Sequence, residues 1–132
     1  MSSPDANPKH AVGALKPGLH AIPPVALLLL GQVMQHGAAK YGLMNWRKTR
    51  ISASTYYDAM QRHLLAWWDG QDNDPDSGLP HLAHVMASCA LALDAEQCET
   101  LDDDRPVPGQ AAALIAELVQ KIIEALAVSK TP

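Results

Sequence analysis

Phenylalanine is absent from the 132 residues, and only three Trp and three Tyr stand in for it. Sheets draw heavily on aromatic and β-branched side chains, so a chain dominated by Ala and Leu favours helices. Cysteine is nearly as scarce: Cys89 and Cys98 fall in or near one expected helix and give neither a disulfide framework nor a metal cage. Cys89 reads as core packing, and a reducing cytoplasm is the default compartment. Long apolar runs are missing too. The longest, residues 25–30, falls far short of the roughly 20 residues of a membrane span, and the polar, Pro-rich start has no signal-peptide pattern. Positive charge is not in excess either. Ten Lys and Arg against fourteen Asp and Glu leave a net charge of −4, which argues against a non-specific nucleic-acid or membrane-surface binder.

What is present is a 48% apolar chain, long enough for one domain. It is organised around residues 62–84, where Arg62 and His63 end one helix, Asp69, Asp72, Asp74 and Asp76 lie in a loop, and His81 and His84 open another helix. Three of the six histidines and four of the fourteen acidic residues fall here. Ionisable groups beside so much Trp, Leu and Ala require pairing, hydrogen bonding or an ion.

In chain order, residues 1–20 show no sustained period and read as an extended arm. Pro23-Pro24 marks the start of a helix over residues 25–41, stopped by Gly42, with Val25, Leu28, Leu29 and Val33 as its apolar face. Lys40-Tyr41, then Asn45-Trp46-Arg47, form a basic, aromatic loop with two readings. Either the ring, the amide and the cations hold a nucleotide, or Trp46 plugs the bundle and the cations are solvated.

A second helix, capped by Ser52 or Ser54, runs to Trp68 with Tyr56, Tyr57, Met60, Leu64, Trp67 and Trp68 on its core arc. Asp58, Arg62 and Asp69 share another face. The third, to Gln97, is apolar nearly all round and therefore central; Leu82, Met86, Cys89 and Leu93 form its main stripe, opposite His81, His84 and Ser88. Residues 99–109 read as a linker. A last helix over residues 110–128 carries Leu114, Ile115, Leu118, Val119, Ile122, Ile123 and Leu126, a stripe that calls for burial, on its own bundle or on another subunit.

Taken together, Lys40-Tyr41-Gly42 with Asn45-Trp46, Arg62 to Trp67, Gly70, Asp74, Ser77-Gly78-Leu79 and His81-Leu82-Ala83-His84 resemble the phage and bacterial dATP/dGTP diphosphohydrolase N-terminal family. This family includes phage MazZ-like enzymes and lies within the all-α MazG-like nucleotide pyrophosphohydrolases. The resemblance covers residues 18–97. It implies an all-α bundle of four main helices and a metal-dependent enzyme that cuts a purine deoxynucleoside triphosphate to its monophosphate. In phages that replace adenine with diaminopurine, such an enzyme supplies dGMP for the modified precursor; a phage-encoded chain would work in the cytoplasm of a bacterial host. It also implies a homo-oligomer, dimer or tetramer, and Mg²⁺ or Mn²⁺ as cofactor, with Co²⁺ a further option.

The relatives hold metal with an ExxE pair on one helix and an ExxD pair on the next. Here Met60-x-x-His63, seventeen residues, and His81-x-x-His84 reproduce that spacing with other residue types. Imidazole suits Mn²⁺, Co²⁺ or Zn²⁺ better than Mg²⁺. Either the loop aspartates add the missing oxygens to the histidine ligands, or the aspartates hold the metal and the histidines bind phosphate.

The expected metal ligands are His63, Asp69, Asp72, Asp74, Asp76, His81 and His84, with Asp74 the foremost aspartate. Arg62, His63 and Lys40 are the expected catalytic groups; Lys40, Tyr41, Asn45, Trp46 and Arg47 are expected to bind substrate. Two rivals stand beside this reading. An HD-type phosphohydrolase normally shows an adjacent His-Asp, which does not occur here. A helical interaction module would use the last helix for docking and its polar cluster for structure.

Overall fold

A computed structural model of the chain describes residues 2–130. Met1, Thr131 and Pro132, which the expected arm and domain limits include, lie outside the described residues. The chain divides into two compact units, Met1–Asp102 and Asp103–Pro132.

In the first unit the helices follow their punctuation. Helix α2 (Pro24–Tyr41) opens on Pro23-Pro24 and ends at Gly42, whose φ of +95° only glycine adopts without strain. Helix α3 (Ala53–Trp68) follows Ser52, and α4 (His81–Gln97) follows Pro80. Helix α4 is central and packs on both α2 and α3. Val33, Ala83 and Ala87 are buried at its heart, surrounded by Leu29, Leu30, Met34, Leu79 and Met86.

The faces differ from the expected ones. On α2 the inner stripe is Leu29, Leu30, Val33 and Met34, while Val25 and Leu28 are exposed. On α3 it runs through Tyr56 and His63, and Tyr57, Leu64 and Trp68 face outward. On α4 the expected stripe is nearly inverted: Leu82, Cys89 and Leu93 are exposed, while His81, Ala83, Ala87 and Ala95 are buried. Alanines lack the bulk that would keep neighbouring helices apart, so the small face packs inside and the large one is turned out. Cys89 is thus not a core residue; its Sγ lies 3.3 Å from Met60 Sδ at the surface.

Two other expectations need correction. The N-terminal arm is not wholly extended, because Pro4–Ala6 form a 3₁₀ turn and α1 covers Pro8–Gly13. Each starts with proline behind a capping side chain: Ser3 Oγ accepts from the Asp5 N–H and Asn7 Oδ1 from the Lys9 N–H. The expected linker also begins too early. Strand β2 (Leu101–Asp102) pairs in parallel with β1 (Ile51–Ser52), matching Ile51 with Leu101 and Ser52 with Asp102. Arg50 reinforces this pairing by donating to the carbonyls of Glu99 and Leu101.

The second unit carries α5 (Ala111–Ser129). No residue of α5 is buried, and Leu114, Leu118 and Ile122 are 46–59% exposed. The expected burial of this stripe is therefore not met within this unit. Among the described residues no helix is long and apolar enough to cross a membrane.

Candidate functional site

The loop between α3 and α4 is short of regular structure but firmly tied. Gly70 and Gly78 take φ of +105° and +73°, which lets the chain fold back on itself. The Asp74 N–H donates to Leu79 O at 2.8 Å, the Gly78 N–H to Asp74 O at 2.7 Å, and the His81 N–H to Asp72 O at 2.9 Å. Asp74 Oδ1 accepts from the Asp76 N–H at 2.8 Å, which leaves Oδ2 for the site. These bonds carry Asp74 over the gap where the end of α3 meets the start of α4.

Three histidines meet it there. His63 Nδ1 and His81 Nδ1 are 2.8 Å apart, and Asp74 Oδ2 lies 3.9 Å from His63 Nδ1 and 4.0 Å from His84 Nε2. The rings of His63 and His84 stack at 4.6 Å. Ligand atoms of His63, Asp74 and His81 all fall within 4.8 Å of one another.

The hydrogen bonds set the tautomers. His81 Nε2 lies 2.7 Å from Gln71 Oε1, an acceptor, so it carries a proton and Nδ1 of the neutral ring is a lone pair. That lone pair accepts from His63 Nδ1–H, and the two nitrogens share one proton. Ser77 Oγ accepts from the Leu79 N–H and shares a 2.7 Å hydrogen bond with His84 Nε2, which fixes the orientation of the ring.

Burial pushes the pKa of His63 and His84 below the ordinary value; neighbouring histidines add to this, and Asp74 opposes it. Burial pushes the Asp74 carboxyl up, but the Asp76 N–H and the histidines outweigh it, and its pKa lies below the ordinary one.

A cleft of about 230 Å³ opens on this cluster, edged by His36, Lys40, Tyr41, Asp74, Asp76 and Ser77. Of the residues expected at the site, the fold thus brings together His63, His81, His84, Asp74, Asp76, Lys40 and Tyr41. Asp69 caps α3 and is exposed, as is Asp72, which contributes its carbonyl. Arg62 is exposed on α3, and its charge acts on His63.

The loop after α2 buries Trp46 in the bundle, as the second of its two readings has it, and ties it to a carboxylate that neither reading included. Trp46 is buried and donates its indole N–H to Asp94 Oδ2 at 2.6 Å, while the Arg47 guanidinium forks onto the same carboxylate with two bonds of 2.8 Å. Arg47 is therefore ion-paired while its side chain stays 46% exposed, and it does not line the cleft. The Asp94 carboxyl is held well below the usual range by Arg47 first, then Trp46. Gln71, His36 and Asp94 were not singled out by the sequence, and Ser77 was quoted only as part of the motif that carries the resemblance, without a role. Asp94 had a signal: it is an acid in a helix apolar nearly all round, where an unpaired charge is costly.

Residues 6–105 match the family described as dATP/dGTP diphosphohydrolase, N-terminal. Over 84 residues the chain is 31% identical to a dATP/dGTP diphosphohydrolase of Salmonella phage PMBT28, an alignment covering 61% of this chain and 28% of that protein. The chain thus spans under a third of that relative's length. No solved structure matches. The matched region takes in α1 through β2, wider than residues 18–97, and stops before α5. On that match, the chain belongs to the dATP/dGTP diphosphohydrolase N-terminal family.

Proposed function

We propose that the chain hydrolyses purine deoxynucleoside triphosphates to monophosphates, dGTP ahead of dATP and GTP, with a divalent cation held by His63, Asp74 and His81. One observation carries the reading: two imidazole nitrogens 2.8 Å apart and a carboxylate oxygen 3.9 Å from one of them, in a cleft that Lys40 also edges. Two nitrogens on one cation, with bonds near 2.1 Å, stand about 3.0–3.4 Å apart. The spacing therefore fits after a shift of well under an ångström, and the nitrogen-rich donor set favours Mn²⁺ or Co²⁺ over Mg²⁺. A cation bound there supplies Lewis acidity and neutralises charge on the phosphates.

The chain's own groups do the rest. Lys40 and, from the rim, Arg62 offset negative charge on the polyphosphate. Ser77 holds the His84 ring in place by a hydrogen bond to Nε2, and the Asp76 N–H fixes the Asp74 carboxylate so that Oδ2 faces the histidines. The purine preference rests on the family and on the name of the phage relative. A dGMP product would serve as the starting point for a modified purine nucleotide. A homo-oligomer belongs to the same proposal, supported by the exposed apolar stripe of α5 and by the lack of any large, fully buried side chain among the described residues.

The test is a hydrolysis screen over eight NTPs and dNTPs with Mg²⁺, Mn²⁺ or Co²⁺, with EDTA controls and product analysis by ³¹P NMR. Release of dGMP from dGTP, fastest with Mn²⁺ or Co²⁺ and abolished by EDTA, is the expected result. Faster turnover of dCTP or dTTP, or turnover indifferent to EDTA, would overturn it.

A further inference from the structure

A second cavity, of about 300 Å³, adjoins the histidine cleft between α2 and α4. Val33, Gly37, Tyr41 and His84 belong to the walls of both hollows, so the two meet across His84. Their linings contrast. The first is edged by Lys40, Asp74 and Ser77. The second is walled by Met34, Ala87 and Leu91 and by the buried ring of Trp46, with Asn45 and Ser88 as polar groups beside His84. A charged hollow joined to an apolar one with a few polar groups matches the two halves of a nucleotide, its phosphates and its flat base.

We infer that this second cavity is the base subsite, taking a purine whose edge is read by Asn45 and Ser88. The inference rests on the nucleotide reading above. Its volume lies at the low end for ligand pockets, which suits one base rather than a whole nucleotide. Asn45 offers a donor and an acceptor on one amide, the pattern that pairs with two neighbouring atoms of a purine edge. Ser88, one turn beyond His84 on α4, adds a hydroxyl to the lining.

Gly37 is the position that tests this. It sits inside α2, where glycine is the poorest helix former after proline. A Cβ built there meets no atom within 4 Å, so no neighbour in the protein requires a glycine. Gly37 lines both hollows, and a larger side chain at this position takes up space that the base would use.

The experiment is calorimetric titration of wild type, Gly37→Leu and Gly37→Ala with dGMP and with deoxyribose 5-phosphate, up to millimolar concentration. Wild type should hold dGMP about tenfold tighter or more, the scale of one base–aromatic contact. Gly37→Leu should erase that difference. Gly37→Ala should reduce it without lowering the melting temperature, which separates loss of the subsite from loss of the fold. No dGMP binding, equal binding of the two ligands, or a difference that survives Gly37→Leu overturns the subsite. A base-dependent difference in a protein that hydrolyses nothing sinks the proposed reaction and leaves the subsite standing; hydrolysis without the difference does the reverse.

Discussion

His81→Ala tests the candidate centre through stability rather than turnover. His81 is 4% exposed and makes two side-chain hydrogen bonds, to Gln71 and to His63. A hydrogen bond contributes about 1 kcal/mol net, and a truncated buried side chain leaves a void that adds to the loss. Gln71 is exposed, so water replaces its partner, and the total falls near 2 kcal/mol. For a unit of this size that lowers the melting temperature by roughly 8–16 °C. The second readout is the cation. A ligand at a hundred times its Kd stabilises the folded state by about 2.7 kcal/mol. Wild type should show such a Mn²⁺-dependent gain in urea denaturation, and the variant should show almost none. A variant as stable as wild type, or one that keeps the full Mn²⁺ gain, would refute the placement of His81 in the centre.

Acid should loosen the fold. His63 and His84 have folded pKa values below the ordinary 6.5, so below about pH 6.5 the unfolded chain takes up protons that the folded chain refuses, and stability falls as pH drops towards the folded values. A urea midpoint at pH 5.5 equal to or above that at pH 7.5 would contradict this. Asp94→Asn should loosen the Trp46 loop, seen as a red shift of Trp emission and faster proteolysis near Arg47; an unchanged spectrum counts against the carboxylate as its anchor. Leu118→Asp with Ile122→Asp should convert an assembly to monomers in light scattering, whereas wild-type monomers at working concentration would remove the oligomer from the proposal.

Helix positions were legible because the chain punctuates them. Pro23-Pro24, Gly42, Ser52 and Pro80 stand within a residue or two of the observed ends. The faces were harder to read. A helix such as α4, apolar nearly all round, gives periodicity no preferred direction. Size decided instead, with Ala83 and Ala87 turned in and Leu82 and Leu93 turned out.

The histidine cluster followed from spacing, since His63 lies in the last two turns of α3 and His81 begins α4. Which of four aspartates joins them did not follow from spacing, and Asp74 stood foremost only through the resemblance. That depends on loop bonds, such as Asp74 N–H to Leu79 O, made between residues whose order alone shows no period. The β1–β2 pair was invisible for a different reason. It joins residues fifty apart by two positions each, too short to leave an alternating pattern.

That strap has a mechanical consequence. Helices α3 and α4 form an antiparallel hairpin fastened at one end by the tied loop of residues 69–80 and at the other by β1, β2 and Arg50. A pair of rods closed at both ends resists scissoring, so the gap between His63 and His81 is set, to within the small shift a cation requires, before anything enters it. Much of the entropy of ordering such a gap is then lost during folding rather than at binding. A frame pinned at both ends also responds unequally to ions of different radius, because it widens less readily for the larger one. Cutting the strap, for instance with Arg50→Ala, should therefore blunt discrimination among divalent cations at a distance, with every proposed ligand still in place.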